Sequence, residues 1–189
     1  MTEQEKMTAG ELYLPETPEL TAQRRRARVL CGRLNRTSVE EADLEEHRAV
    51  MEELLGAAGE NCFINTGFQC DYGYHITLGR NAYLNYNCVI LDCAPVRIGE
   101  NVMIAPNCGF YTAGHPLDAA TRNALLEYAY PITVEDDVWI GGNVTVLPGV
   151  TIGRGSVIGA GSVVNRDIPP NTLAVGNPCR PIRTIRQEP

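Results

Sequence analysis

The chain has 189 residues, 44% hydrophobic and 21% charged, which is enough for one substantial globular domain and a small appendage. A net charge of −7 argues against a general nucleic-acid binder, and no apolar run approaches membrane-spanning length. Seven cysteines with no CxxC pair exclude a disulfide framework or zinc knuckle, so reduced thiols used as small apolar groups are expected.

The opening segment, MTEQEKMTAGELY, is polar and acidic without a signal-peptide core, so cytoplasmic residence is the expectation. Leu20 to Asn35 is charged and helical in pattern. Ser38 with Glu41 forms a capping box that opens a second helix toward Leu55. The first helix is basic (Arg24, Arg25, Arg26, Arg28) and the second acidic (Glu40, Glu41, Asp43, Glu45, Glu46), so these charges read as solvated faces of a packed pair.

From Ile64 onward, small or aliphatic residues recur every six positions: Ile64, Cys70, Ile76, Ala82, Cys88. Two extra residues near Ala94 and Pro95 shift the frame, which resumes as Val96, Val102, Cys108. A later run reads Ile132, Val138, Val144, Val150, Ser156, Ser162, Ile168. Neither an α-helix nor a hairpin sheet produces a strict period of six; a hexapeptide parallel β-helix does. Three hexads close one triangular coil, so residues eighteen apart should stack, with glycine or asparagine at left-handed corners. Gly79, Gly99, Gly141, Gly153 and Gly159 fall three places after a periodic residue. Cys70, Cys88 and Cys108 are expected to form one inward ladder. Prisms of this type are left-handed, so the expected fold class is mainly β: a left-handed parallel β-helix with an N-terminal α-helical segment. The expected division is residues 1–57 for the helical segment and 58–189 for the β-helix, with a loop excursion at about 114–130 and a C-terminal tail.

The period breaks at YTAGHPLDAA, which carries His115, one of only three histidines. The tail, residues 150–189, has five arginines against Asp167 and Glu188, a positive segment in an acidic chain.

MTAGELY, CDYGYHITLGRNAYLNYNCVILDCAPVRIG, the GHPLD turn and PITVEDDVWIGGN with GNPCRPIR together resemble the maltose and galactoside O-acetyltransferases, over residues 7 to 186. CDYGY points to the maltose type. The resemblance implies a homotrimer with active sites between neighbouring prisms. It also implies transfer of an acetyl group from acetyl-CoA, the donor substrate, to a sugar hydroxyl.

His115 matches the family's catalytic histidine, and an imidazole suits removal of a hydroxyl proton near neutral pH. Asn85 matches a sugar-site asparagine, Asp71 stands where galactoside-type members have serine, and Asp92 matches an aspartate of both types. Cys93 replaces a sugar-binding aspartate of the galactoside type, and Glu16 stands near an acidic acceptor contact. On the donor side, Arg180 and Arg183 match positions that contact coenzyme A, as do Asn165 and Arg166, where relatives carry Thr–Lys. Gly142, Trp139 and Ala160 are expected along the pantetheine groove, with backbone amides near Gly142 as oxyanion donors. The sequence offers no Ser–His–Asp set for an acyl-enzyme, and Cys93 reads as coil filler rather than a nucleophile. No metal is expected: a zinc carbonic anhydrase on this fold needs three prism histidines, and only His75 and His115 qualify. The alternatives are an acetyltransferase with another acceptor, such as an oligosaccharide, small alcohol or amine, and a non-enzymatic hexapeptide scaffold.

Overall fold

The computed structural model describes residues 1–37 and 43–186. Three helices come first: α1 (Glu3–Ala9), α2 (Pro18–Leu34) and α3 (Leu44–Leu54). In α1, Thr2 and Glu5 form a reciprocal capping box, a short helix that the polar opening segment concealed. Thr17 caps α2, whose first residue is Pro18. Leu20, Ala27, Leu30, Cys31 and Leu34 form its buried stripe. The expected Ser38–Glu41 capping box lies outside the described residues; α3 buries His47, Val50, Met51 and Leu54.

Past the helices, short strands wind into a three-sided parallel solenoid. One face holds β1 (Ala57–Ala58), β4 (Ile76–Leu78), β7 (Val96–Ile98), β12 (Ile132–Val134) and β15 (Thr151–Ile152). The second holds β2 (Phe63–Ile64), β5 (Tyr83–Leu84), β8 (Met103–Ile104), β13 (Trp139–Ile140), β16 (Val157–Ile158) and β18 (Thr172–Val175), closed by antiparallel β19 (Arg180–Thr184). The third holds β3 (Gln69–Cys70), β6 (Val89–Leu91), β9 (Gly109–Tyr111), β14 (Thr145–Val146) and β17 (Val163–Val164). A hairpin of β10 (Ala113–Gly114) and β11 (Tyr128–Ala129), enclosing α4 (Ala119–Asn123), stands outside these faces. Inward side chains stack into ladders such as Leu84, Ile104, Ile140 and Ile158, all almost fully buried.

Two features differ from the sequence expectation. The eighteen-residue stack holds in the later coils, as in Trp139 on Val157, but the early coils stack at twenty: Phe63 on Tyr83, Tyr83 on Met103. The cause is a second insertion, between Cys70 and Ile76, directly below the one at residues 92–95. Each strand has two inward positions, two residues apart, so a two-residue insertion carries one inward site onto the other and the apolar pattern survives. The expected cysteine ladder therefore splits. Cys88 lies in register with Cys108, whereas Cys70 stacks on Ile90 and meets Cys31 of α2 at 3.6 Å between sulfurs.

The glycine column is the second difference. Gly79, Gly99, Gly141, Gly153 and Gly159 do not adopt positive φ; the left-handed corners are Asn81, Asn101, Asn143, Gly155 and Gly161. What Gly79 and Gly141 provide is room. A Cβ on Gly79 would lie 2.6 Å from the Gly99 backbone, and one on Gly141 2.7 Å from the Ala160 nitrogen. The asparagine corners add a ladder of their own, with Asn81 donating to Asn101 at 2.9 Å and Asn101 to Asp137 at 3.1 Å.

Candidate active site

Both two-residue insertions and the hairpin leave the solenoid along one edge, where the third face turns into the first. That edge also receives the N-terminal segment. Met7, Tyr13, Leu20, Tyr72, Cys93, Ala94 and Ala129 pack there in a satellite core separate from the prism interior.

The hairpin carries the imidazole. His115 directly follows β10 and Glu127 directly precedes β11, so the two flank the enclosed loop from opposite strands. Their side chains approach to 3.8 Å, Nε2 to Oε1, with His115 55% exposed and Glu127 20%. The loop between them is braced. Asp118 caps α4 through Thr121, and Arg122 donates to the carbonyls of Pro116 and Leu117 at 3.1 and 2.9 Å.

Glu127 is gripped from its other side by Tyr13. Their backbones exchange two hydrogen bonds of 3.0 Å, and the Tyr13 hydroxyl donates to Oε2 at 2.9 Å. Tyr13 is fully buried, so its ring fixes the carboxylate from within the satellite core. Neither Tyr13 nor Glu127 was singled out from sequence. Tyr13 belonged to a signature and Glu127 to the aperiodic loop. His115, Glu127, Glu16, Pro15, Arg122 and Leu125 line an open cleft of about 330 Å³.

Next to this cleft stand the residues of the insertions. Asp71 is half-buried, and its Oδ2 accepts from the Cys93 thiol at 3.6 Å. Burial pushes the Asp71 carboxyl up, while the Cys93 contact and the Arg24 and Arg28 guanidiniums pull it back. Arg24 corrects the reading of the basic run as a wholly solvated face. It turns inward, pairing with Glu16 at 2.9 Å and donating to the Tyr72 hydroxyl at 2.9 Å. The Cys93 thiol also lies against Tyr13, and its burial pushes it well up, away from the thiolate a nucleophile would need.

Asp92 and Cys93, expected as sugar contacts, are 0% and 4% exposed and stand behind Asp71 rather than facing the cleft. Oδ1 of Asp92 accepts from the Asp71 and Tyr72 backbone nitrogens at 3.1 and 2.8 Å, and Oδ2 has no hydrogen-bond partner among the described residues. Burial drives its carboxyl up to about 6. Because the folded value is raised, the stability this group contributes is fully present below the unfolded value and is lost as pH rises through about 6. Asp92→Asn removes the charge, so it should be more stable than the parent near pH 8 by up to about 3 kcal/mol, with the gain vanishing near pH 4. Denaturant midpoints at the two pH values check this; an equal gain at both would separate it from titration of Asp92.

The remaining site residues lie elsewhere on the prism. Asn85, Gly142 and Ala160 occupy corners of a different edge, between the second and third faces; Gly142 and Ala160 are on successive coils, and one coil separates Asn85 from Gly142. Asn85 is half-buried and its Oδ1 accepts from the Tyr86 nitrogen. Trp139 points outward from the second face, in register with Met103 and, below it, Tyr83. These three form a contiguous apolar column, exposed by 52%, 56% and 36%. Asn165 and Arg166 are exposed at the corner after β17, and Arg180 donates to Asn165 Oδ1 at 3.1 Å. Arg183 is exposed on β19, while Arg154, counted with the basic tail, is engaged by Asp136 at 2.6 Å. Of the other histidines, His47 is buried against Thr37 and Phe63, and His75 binds the Asp92 carbonyl at 2.7 Å. Among the described residues, no helix is long and apolar enough to cross a membrane.

A hexapeptide prism, a helical cap and a histidine-bearing excursion together define a hexapeptide-repeat transferase. The maltose acetyltransferase hexapeptide capping motif matches residues 6–59, and the bacterial transferase hexapeptide (six repeats) matches residues 131–166. A maltose O-acetyltransferase from Clostridium difficile 630 is 46% identical, with a TM-score of 0.96 over 99% of both chains. A hexapeptide-repeat-containing acetyltransferase from Vibrio cholerae O1 biovar eltor, complexed with acetyl coenzyme A, is 43% identical, with a TM-score of 0.89 over 99% of this chain and 100% of that one. Nodulation protein L of Rhizobium meliloti is 46% identical over 179 residues, which is 95% of this chain and 97% of that protein. The chain belongs to the maltose/galactoside acetyltransferase family and is an acetyltransferase of that type.

Proposed function

We propose that this protein moves an acetyl group from acetyl-CoA to a hydroxyl of a maltose- or glucose-like sugar, with His115 as general base. The observation that carries the mechanism is the His115–Glu127–Tyr13 arrangement. It sets an exposed imidazole beside a carboxylate that accepts a hydrogen bond from the Tyr13 hydroxyl, on a residue whose backbone Tyr13 also holds through two more. In the reaction, His115 takes the proton of the sugar hydroxyl as its oxygen attacks the thioester carbonyl. Glu127 stabilises the imidazolium so formed. The tetrahedral intermediate collapses with cleavage of the carbon–sulfur bond. The sulfur leaves with the electron pair and receives the proton back from the imidazolium, giving the thiol of coenzyme A and a sugar ester. A buried, protonated Cys93 favours this direct transfer over an acyl-cysteine.

For the donor, the complex of the Vibrio cholerae relative with acetyl coenzyme A supports the choice of ligand. The proposed groove is Trp139, Gly142 and Ala160, and the proposed phosphate contacts are Asn165, Arg166, Arg180 and Arg183, whose guanidinium groups suit phosphate recognition. For the acceptor, Asp71 and Asn85 are the proposed hydrogen-bonding contacts, and the maltose O-acetyltransferase of Clostridium difficile supports the choice of sugar. Asn85 and the groove residues lie on a different prism edge from His115, so a complete site requires the edge of a second subunit. The exposed column of Tyr83, Met103 and Trp139 fits a surface covered by such a neighbour. A homotrimer, one prism edge meeting the next, is the assembly that closes three such sites.

The product tests this reading. Incubation with acetyl-CoA and maltose should yield an acetyl ester that alkaline hydroxylamine cleaves. An alkali-stable amide on an amine acceptor, with no ester on any sugar, would overturn the acceptor assignment.

A further inference from the structure

Residues 71–75 and 92–95 hold the two insertions at the excursion edge, one coil above the other. The lower one, Asp71-Tyr72-Gly73-Tyr74-His75, turns through a left-handed Gly73 at φ 81°. Asp92, in the upper one, holds this turn at both ends. Its Oδ1 accepts from the Asp71 and Tyr72 nitrogens, and its carbonyl oxygen meets His75 Nδ1 at 2.7 Å. No other aspartate or glutamate among the described residues is buried. A buried carboxylate with one oxygen unpartnered is costly to a fold. Its two backbone acceptances fix the residue whose side chain stands between it and the cleft.

We infer that Asp92 is a positioning residue for the acceptor: its carboxylate sets the Asp71 turn, and it does not itself touch the sugar. This rests on Asp71 being an acceptor contact, as proposed above. Tyr72 is secured from the other side by Arg24, so the turn has one rigid flank in α2 and one in Asp92. The Asp71 carboxylate, held by the weak Cys93 contact and the longer-range pull of Arg24 and Arg28, is the group that moves when the turn loosens.

The test is a double-mutant cycle in steady-state kinetics, with maltose as acceptor and acetyl-CoA as donor. Asp92→Ala should raise the maltose KM about tenfold and leave kcat and the acetyl-CoA KM within about twofold. Asp92→Asn keeps an oxygen where Oδ1 accepts and should restore the parent maltose KM. In an Asp71→Ala background, Asp92→Ala should add no further rise. If Asp92→Ala does not fold, Asp92→Glu serves, because its extra methylene displaces the oxygen from the turn and should raise the maltose KM likewise. Effects of Asp71→Ala and Asp92→Ala that multiply, or a maltose KM as poor in Asp92→Asn as in Asp92→Ala, would overturn the inference and leave the Asp71 contact standing. An unchanged maltose KM in Asp71→Ala would instead remove the acceptor contact on which the inference rests.

Discussion

Replacing His115 by alanine should lower kcat by at least about a hundredfold, the lower range for loss of a positioned general base. The protein should stay folded, because His115 is 55% exposed and its one ion-pair contact is 3.8 Å long. Circular dichroism and thermal unfolding separate this from a folding defect. The KM for acetyl-CoA should change little, since the proposed donor contacts lie on other parts of the prism. A folded variant with parent-like turnover would remove the imidazole from the mechanism.

Glu127→Gln should lower kcat by about ten- to a hundredfold, with the acetyl-CoA KM within about twofold. The amide fills the same space and still accepts from Tyr13, so the loss isolates the charge that stabilises the imidazolium. Tyr13→Phe keeps that charge but frees the carboxylate to turn away, and should lower kcat in the same direction by less. On this mechanism the helical cap does more than close the end of the prism, for it brings Tyr13 to the hairpin that carries His115. A raised maltose KM with unchanged kcat in Glu127→Gln would make Glu127 an acceptor ligand instead.

The period of six was legible because every coil repeats one physical problem, two inward side chains and a tight corner. What the period did not carry was register. An insertion of two residues at Asp71–His75 leaves the apolar pattern intact, so the period alone assigns Cys70 to the ladder of Cys88, whereas it stacks on Ile90. The glycine column was visible, but its reason, the close approach of successive coils, depends on neighbours eighteen or twenty residues away. His115 was found because it interrupts a repeat and matches a family pattern. Glu127 has no period around it and meets His115 only when the hairpin closes. Arg24 looked like its neighbours in RRRAR, and only the packing of α2 turns it toward Glu16 and Tyr72. Asp92 and Cys93 match acceptor positions by sequence, yet side-chain surroundings at an insertion are set by the coil beneath, and both are buried against the Asp71 turn.

The central claim is a sugar-dependent transfer by an imidazole base. Its most direct measurement is thiol release from acetyl-CoA in the presence of glucose, maltose, a galactoside or a simple amine, with His115→Ala in parallel. The mechanism predicts release that requires a sugar, is strongest with maltose or glucose, and is lost in the variant. Release driven by the amine alone, or release that survives in His115→Ala, would contradict it.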